Sequence, residues 1–233
     1  MTKKTPATPV LITPLRISRR SLMKIGFSAG LLPLSNIACS SNTVKTDLWT
    51  PKQTEGPFYP VHEQMDKDVD LTHVKGRRDY AKGEVVNIQG RVLDTNGAVL
   101  DRVFIEIWQA NTWGRYRHRR DPNQAPLDPN FQGWGQTRTD ANGKYSFKTI
   151  LPGAYPAGPN WTRPPHIHFK VAKQGYHDLT TQMYFPDQDL NDEDLILNDL
   201  PEPQQKMVIA KRTGNDSDSK PMYQFDIVLR VAV

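Results

Sequence analysis

Two tyrosines and a histidine pair, Tyr116, Tyr155, His166 and His168, are the side chains of this 233-residue sequence that could act together on one metal ion. Side chains of a strand alternate faces with a period of two. In the run Arg163-Pro164-Pro165-His166-Ile167-His168-Phe169 the two imidazoles therefore share one face, while Ile167, Phe169 and Val171 share the other, as a buried half would. Imidazole suits Zn, Cu, Fe and Ni about equally. A tyrosine, with an ordinary pKa of about 10, binds as phenolate only to a strongly polarising cation, which argues against zinc and for Fe(III).

Each piece alone is weak. Strand histidines are often half-buried polar residues with satisfied hydrogen bonds. Tyr116 lies in Trp113-Gly114-Arg115-Tyr116-Arg117-His118-Arg119-Arg120, which also reads as a solvated basic loop with an aromatic packed across it. Tyr155, in Leu151-Pro152-Gly153-Ala154-Tyr155-Pro156, also reads as a turn tyrosine between Gly and Pro. The joint pattern carries the weight.

That joint pattern resembles the intradiol ring-cleavage dioxygenases, and most closely the protocatechuate 3,4-dioxygenase group. The matching stretches are Ile107-Trp108-Gln109-Ala110-Asn111, Gly114-Arg115-Tyr116-Arg117-His118, Ala125-Pro126-Leu127-Asp128-Pro129-Asn130-Phe131, Thr139-Asp140, Tyr145-Ser146-Phe147, Tyr155-Pro156 and the His-x-His run. They continue through Gln182-Met183-Tyr184-Phe185 and Tyr223 to Arg230, so the resemblance covers roughly residues 81–233. It implies a non-haem Fe(III) held by Tyr116, Tyr155, His166 and His168, with a catechol-type diol and O2 as substrates. It also implies that Tyr155 leaves the metal when the diol binds and takes a proton from it. Cleavage between the two hydroxyl-bearing carbons then gives a muconate-type diacid.

The resemblance assigns two further catalytic positions. Arg163 matches an arginine beside the bound substrate that stabilises developing negative charge, a role suited to a permanently charged fork of donors. It reads otherwise as a surface arginine before a proline. Gln182 matches a residue that orients the ligands, or is a strand-face Gln bonded to a neighbour. A departure from the family lies in Tyr155-Pro156-Ala157-Gly158-Pro159-Asn160-Trp161-Thr162-Arg163: the Trp that closely follows the family's Tyr-Pro is replaced by Ala157, a Trp stands at Trp161, and the loop is shorter. The wall facing the ring substituent should therefore differ.

The elements that must position these residues are mostly strands. Val86, Ile88 and Val92 alternate before the Asn-Gly turn Asp94-Thr95-Asn96-Gly97, and Val103, Ile105 and Ile107 alternate after it, which predicts a β-hairpin. Asp140-Ala141-Asn142-Gly143 is a second such turn, and Tyr223, Phe225, Ile227, Leu229 and Val231 form a last period-two face. Many short strands with regular turns predict an all-β, two-sheet β-sandwich over residues 81–233, with one short helix near Glu202–Ala210. Residues 41–80 are polar and irregular and read as an N-terminal arm. They include Gln53-Thr54-Glu55-Gly56-Pro57-Phe58-Tyr59-Pro60, similar to the segment that precedes the family's catalytic domain. Asp66 to Asp70 reads as a solvated charge run, and His62 and His73 as surface histidines.

Residues 1–40 hold six of the chain's 30 Lys and Arg and no Asp or Glu, so 24 basic residues face 25 acidic ones in the remainder. The basic excess belongs to this leader and gives no ground for a nucleic-acid surface; the Arg115, Arg117, Arg119, Arg120 cluster reads as a solvated or interface face. The leader runs Ser18-Arg19-Arg20-Ser21-Leu22-Met23-Lys24, an apolar stretch Ile25 to Leu34, then Ala38, Cys39 and Ser40. It resembles a twin-arginine export signal, with an apolar run too short for the ~20 residues of a spanning helix. A twin-arginine route carries folded proteins, so iron could be inserted before export to the periplasm. Cys39 is the sole cysteine, which excludes an intrachain disulfide. Its setting, Ser35-Asn36-Ile37-Ala38, leaves lipidation and a membrane tether open against ordinary cleavage near Ser40. A homo-oligomer is expected. The alternative class is an exported sandwich that binds a metal or aromatic ligand without turnover.

Overall fold

Alternating burial builds the strands that carry the site. The computed structural model describes residues 48–62, 64 and 66–232; the leader with Arg19, Arg20 and Cys39 lies outside the described residues. Strand β1 (Val85–Asp94) turns Val86, Ile88 and Val92 fully inward, and β2 (Phe104–Trp108) buries Ile105 and Ile107. There follow β3 (Trp134–Arg138), β4 (Lys144–Ile150), β5 (Tyr155–Gly158), β6 (Trp161–Arg163), β7 (His166–Ala172) and β8 (Leu179–Tyr184). After β8 come a 3-10 turn (Asp189–Glu193), helices α1 (Leu195–Asn198) and α2 (Glu202–Val208), and strands β9 (Lys211–Asn215), β10 (Pro221–Gln224) and β11 (Ile227–Leu229).

Two sheets face each other. One is five-stranded, ordered β11-β1-β10-β9 with β4 on the other side of β1; the second is four-stranded, β3-β2-β7-β8. Their inward side chains meet in one apolar core that joins Val86, Ile88 and Phe147 of the first sheet to Ile105, Ile107, Ile167, Phe169 and Val171 of the second. The expected β-sandwich is therefore the observed architecture. A separate two-stranded ribbon, β5 with β6, pairs Tyr155 with Arg163.

The strand connections differ from the expected hairpin. The Asn-Gly turn forms, with Asp94 Oδ1 accepting the backbone N–H groups of Asn96 and Ala98 at 2.8 and 2.9 Å and a bridge between Leu93 and Val99. The chain then crosses to the other sheet, because both sides of β1 are already taken, by β4 on one and by β10 and β11 on the other. The C-terminal period-two face keeps Phe225, Ile227 and Leu229 in the core, with Tyr223 packed against it and Val231 exposed, but the strand that carries it is interrupted between β10 and β11. Gly90 of β1 passes so close to the Phe225 carbonyl that any Cβ there would collide with it, and that carbonyl accepts the Tyr145 hydroxyl at 2.5 Å instead of continuing the ladder.

Two further expectations need correction. The single helix near Glu202–Ala210 is present as α2, but the 3-10 turn and α1 precede it, and α1 is started by the side chain of Asp194, which accepts the N–H groups of Ile196 and Leu197. Asp66 to Asp70 is not merely solvated: Asp66 accepts the N–H of Lys75 at 2.6 Å, Asp68 accepts the Gln132 amide at 3.1 Å, and Asp70 caps Thr72 and meets Lys148 at 3.3 Å. These local bonds hold Leu71, fully buried, in the core.

Candidate metal centre

Strand β7 lies between β2 and β8, and both its faces are buried, one by the opposite sheet and one by the tyrosine loops. Ile167, Phe169 and Val171 face the core between the sheets, while His166 and His168, 2% and 3% exposed, face a second cluster containing Trp108, Tyr116 and Tyr155. His168 sits opposite Trp108 of β2, and the two rings stack at 4.8 Å with an interplanar angle of 8°.

Tyr116 comes from the β2–β3 connection. Asn111 shapes this loop: its Oδ1 accepts the N–H groups of Trp113 and Arg115, both at 3.0 Å, and its backbone carbonyl accepts those of Gly114 and Gly153. The Tyr116 N–H then donates to Asp121 at 2.7 Å. Gly114, at φ +74°, presses against the Ala154 carbonyl and Tyr155 Cβ, so close that a side chain could not fit. That contact brings the two tyrosine loops together, with ring centroids 5.5 Å apart and planes at 89°. Phe58 packs against both rings, at 4.9 and 6.2 Å.

The Tyr116 and Tyr155 hydroxyls each lie 3.5 Å from the same atom, His166 Nε2. His166 Nδ1 lies 2.7 Å from the Pro164 carbonyl oxygen, which can only accept, so Nδ1 carries the proton. Burial, followed by Arg163 and His168, pushes the His166 pKa well below its ordinary value, so the ring is neutral and Nε2 presents a lone pair to the two phenols. A separation of 3.5 Å is too long for a good O–H···N bond. Nδ1 of His168 is buried without any partner, and burial and then Arg163 push its pKa down to about 3.

Among the described residues no three His, Cys, Asp or Glu side chains gather as a metal set. Any ion here must therefore use the phenol oxygens. Burial raises the pKa of both phenols, that of Tyr116 well above the ordinary value, so each gives up its proton only to a strongly polarising cation. The fixed tautomer, the under-satisfied polar atoms and the hard oxygen donors fit a ferric ion.

Arg163 is not a surface arginine. It is 4% exposed, its Nε donates to Asp194 Oδ2 at 2.6 Å, and its Nη2 donates to Gln182 Oε1 at 2.6 Å and to the Tyr184 hydroxyl at 3.2 Å. Gln182, fully buried opposite His168, completes its bonds through Nε2 to the Thr54 carbonyl and through its backbone N–H to Gln53 Oε1. Trp161, opposite Gly158 in the ribbon, has the Arg163 guanidinium 5.5 Å from its ring centroid. In the basic cluster, Arg115 and Arg117 donate to the carbonyls of Ala125 and Asp128 and help fold the loop that holds Tyr116.

Sequence reasoning missed Asp194, Tyr184, Gln53, Trp108 and Glu106. Glu106 is 3% exposed and gathers the indole N–H of Trp134 at 2.6 Å, the Gln136 amide at 2.8 Å and the Tyr59 hydroxyl at 3.0 Å. Its place in β2, flanked by Ile105 and Ile107, was the available signal, since an acid on a strand otherwise buried on both faces needs donors.

Comparison with known proteins identifies the family. The sequence pattern of the family described as Dioxygenase matches residues 54–231. The protocatechuate 3,4-dioxygenase beta chain of Burkholderia cepacia is 42% identical over 179 residues, covering 75% of this chain and 76% of that protein. Catechol 1,2-dioxygenase 2 of Acinetobacter lwoffii is 33% identical over 154 residues, which span 58% of this chain but only 50% of that protein. Among solved structures, the dioxygenase domain of a dioxygenase carbohydrate-binding protein fusion from Streptomyces sp. SirexAA-E is 28% identical with a TM-score of 0.57, covering 78% of this chain and 99% of that one. The family match and the sequence relatives show that the chain belongs to the intradiol ring-cleavage dioxygenases.

Proposed function

We propose that the chain binds one ferric ion through Tyr116, Tyr155, His166 and His168 and opens the ring of a catechol-type diol between its hydroxyl-bearing carbons. The observation that carries the reading is the approach of two buried phenol oxygens to the one lone pair of a tautomer-fixed imidazole. When bound, the ion would hold the deprotonated diol and make its ring reactive toward O2. Both oxygen atoms enter the product, a muconate-type diacid.

The residues of the chain divide the remaining work. Tyr155 is the proton acceptor: it is the most exposed of the four, at 8%, and it lies on the short β5–β6 ribbon, outside both sheets. His168 is held between Trp108 of β2 and Gln182 of β8, His166 is paired with Tyr184 of β8, and Tyr116 is tied through its backbone to Asp121, so these three keep their places. Arg163, paired in register with Tyr155, supplies fixed positive charge beside the proton acceptor. Trp108 and Phe58 exclude water from this face of the sheet.

Substrates of the protocatechuate or catechol type are supported by the names of the relatives, and assembly into an oligomer by the beta-chain relative. Export to the periplasm by a twin-arginine route, with or without a lipid on Cys39, rests on the leader sequence. Lysine at both Arg19 and Arg20 should hold the chain in the cytoplasm, and normal export of that variant would refute the route. The activity is tested by elemental analysis together with oxygen uptake and product identification on a panel of catechols. One iron per subunit, red-brown colour and ring-opened diacid are expected; stoichiometric zinc or copper would overturn the metal assignment. Iron binding without cleavage of any diol would favour a binding module.

A further inference from the structure

The fully buried carboxylate of Asp194 divides its two oxygens between two tasks. Oδ1 accepts the backbone N–H groups of Ile196 and Leu197, at 3.1 and 2.8 Å, and lies 3.4 Å from the Tyr184 hydroxyl. Oδ2 accepts the Arg163 Nε–H at 2.6 Å. An N-cap needs only one short acceptor, and Ser, Thr or Asn serves as well as Asp. The second oxygen, and the charge, are thus surplus to capping and are spent on Arg163.

That contact decides where the guanidinium faces. The group is a rigid planar fork. With its Nε edge held by Asp194, its Nη2 reaches Gln182 Oε1 and the Tyr184 hydroxyl, and these lie on β8 opposite His168 and His166. The same guanidinium acts electrostatically on Tyr155 and on both histidines. Arg163 is also tied by strand pairing to Tyr155. Asp194, from a segment that pairs with neither sheet, is therefore the anchor for Arg163, the buried cation next to the candidate proton acceptor.

We propose that Asp194 is a positioning residue for the ring-cleavage reaction, acting through Arg163 and not through the helix it caps. The inference rests on the proposed dioxygenase function of this site. Asp194→Asn separates the two roles, because its single oxygen can keep the cap only by turning its NH2 toward the Arg163 Nε–H. Outer-shell partners of this kind typically cost about 10- to 100-fold in activity when removed.

The experiment is a double-mutant cycle on the iron-loaded full chain, with Asp194→Asn, Arg163→Met and the double variant, read as kcat and KM per bound iron and as thermal midpoints. Asp194→Asn should lose about 10- to 100-fold in kcat with a smaller change in KM. The double variant should be no slower than Arg163→Met and should melt higher than Asp194→Asn, since it no longer buries an unpaired cation. Wild-type kcat in a folded Asp194→Asn would overturn the proposal. Should that single variant fail to fold, the double variant decides: a further large loss of kcat relative to Arg163→Met overturns it. The midpoints test the coupling without turnover, so a wild type that cleaves no diol would refute the functional reading while leaving the pairing measurable.

Discussion

Gly114→Ala tests whether one backbone contact sets the spacing of the two tyrosines. The native φ of +74° lies in the left-handed region, where a Cβ costs about 1–2 kcal/mol. The same Cβ would drive into the Ala154 carbonyl and Tyr155 Cβ, and relieving such overpacking costs about 1–3 kcal/mol more. Together these give about 2–5 kcal/mol, a large share of the ~5–15 kcal/mol that stabilises a typical domain. In a unit of this size each kcal/mol lowers Tm by about 2–4 °C, so the variant should melt about 4–20 °C lower. Gly175→Ala is the internal control: its φ is +86°, but nothing lies within 4 Å, so only the backbone term applies. Thermal melts followed by circular dichroism, with iron content and red-brown colour measured in parallel, provide the readout. Gly114→Ala should lose more stability than the control and should also lose iron, because the two tyrosine loops must separate. Equal melting of the two variants with full iron in both would refute the reasoning.

Two further outcomes follow from the burial of charge and of donors. His168 is held neutral with its pKa down at about 3, whereas an unfolded histidine titrates near 6.5, so the unfolded state takes up the proton first as the pH falls. The metal-free protein should lose stability below pH about 6.5, by on the order of 1.4 kcal/mol per pH unit for each such histidine, and a Tm that stays flat between about pH 6.5 and 5 would contradict this. Glu106→Gln puts an NH2 against one of the donors from Trp134, Gln136 or Tyr59, and a denaturant midpoint should report a loss of about 1–3 kcal/mol; an unchanged midpoint would show that these bonds contribute nothing.

What could be read from the sequence was local. The period-two spacing of His166 and His168 set both on one face, and Val86, Ile88, Ile105 and Ile107 alternate as a sandwich core requires. Pairing partners were not legible, because an Asn-Gly turn reverses the chain whether the next strand pairs with the last or crosses to the opposite sheet, as after Gly97. Nor was the break at Phe225, which depends on a glycine far away in β1. Asp194 closes the acidic run Asp187-Gln188-Asp189-Leu190-Asn191-Asp192-Glu193-Asp194, and nothing local separates the one buried acid from its exposed neighbours. Only the crossing of that segment over β6 pairs it with Arg163.

The central claim is that Tyr155 is both an iron-binding residue and the proton acceptor, and Tyr155→Phe tests it most directly. Iron content and catechol turnover should be measured on the same samples, so that rate is expressed per bound iron. The variant should retain iron through Tyr116, His166 and His168 yet lose about 10²- to 10⁴-fold in turnover, the usual cost of removing a general base. Ring cleavage per iron at the wild-type rate would contradict it.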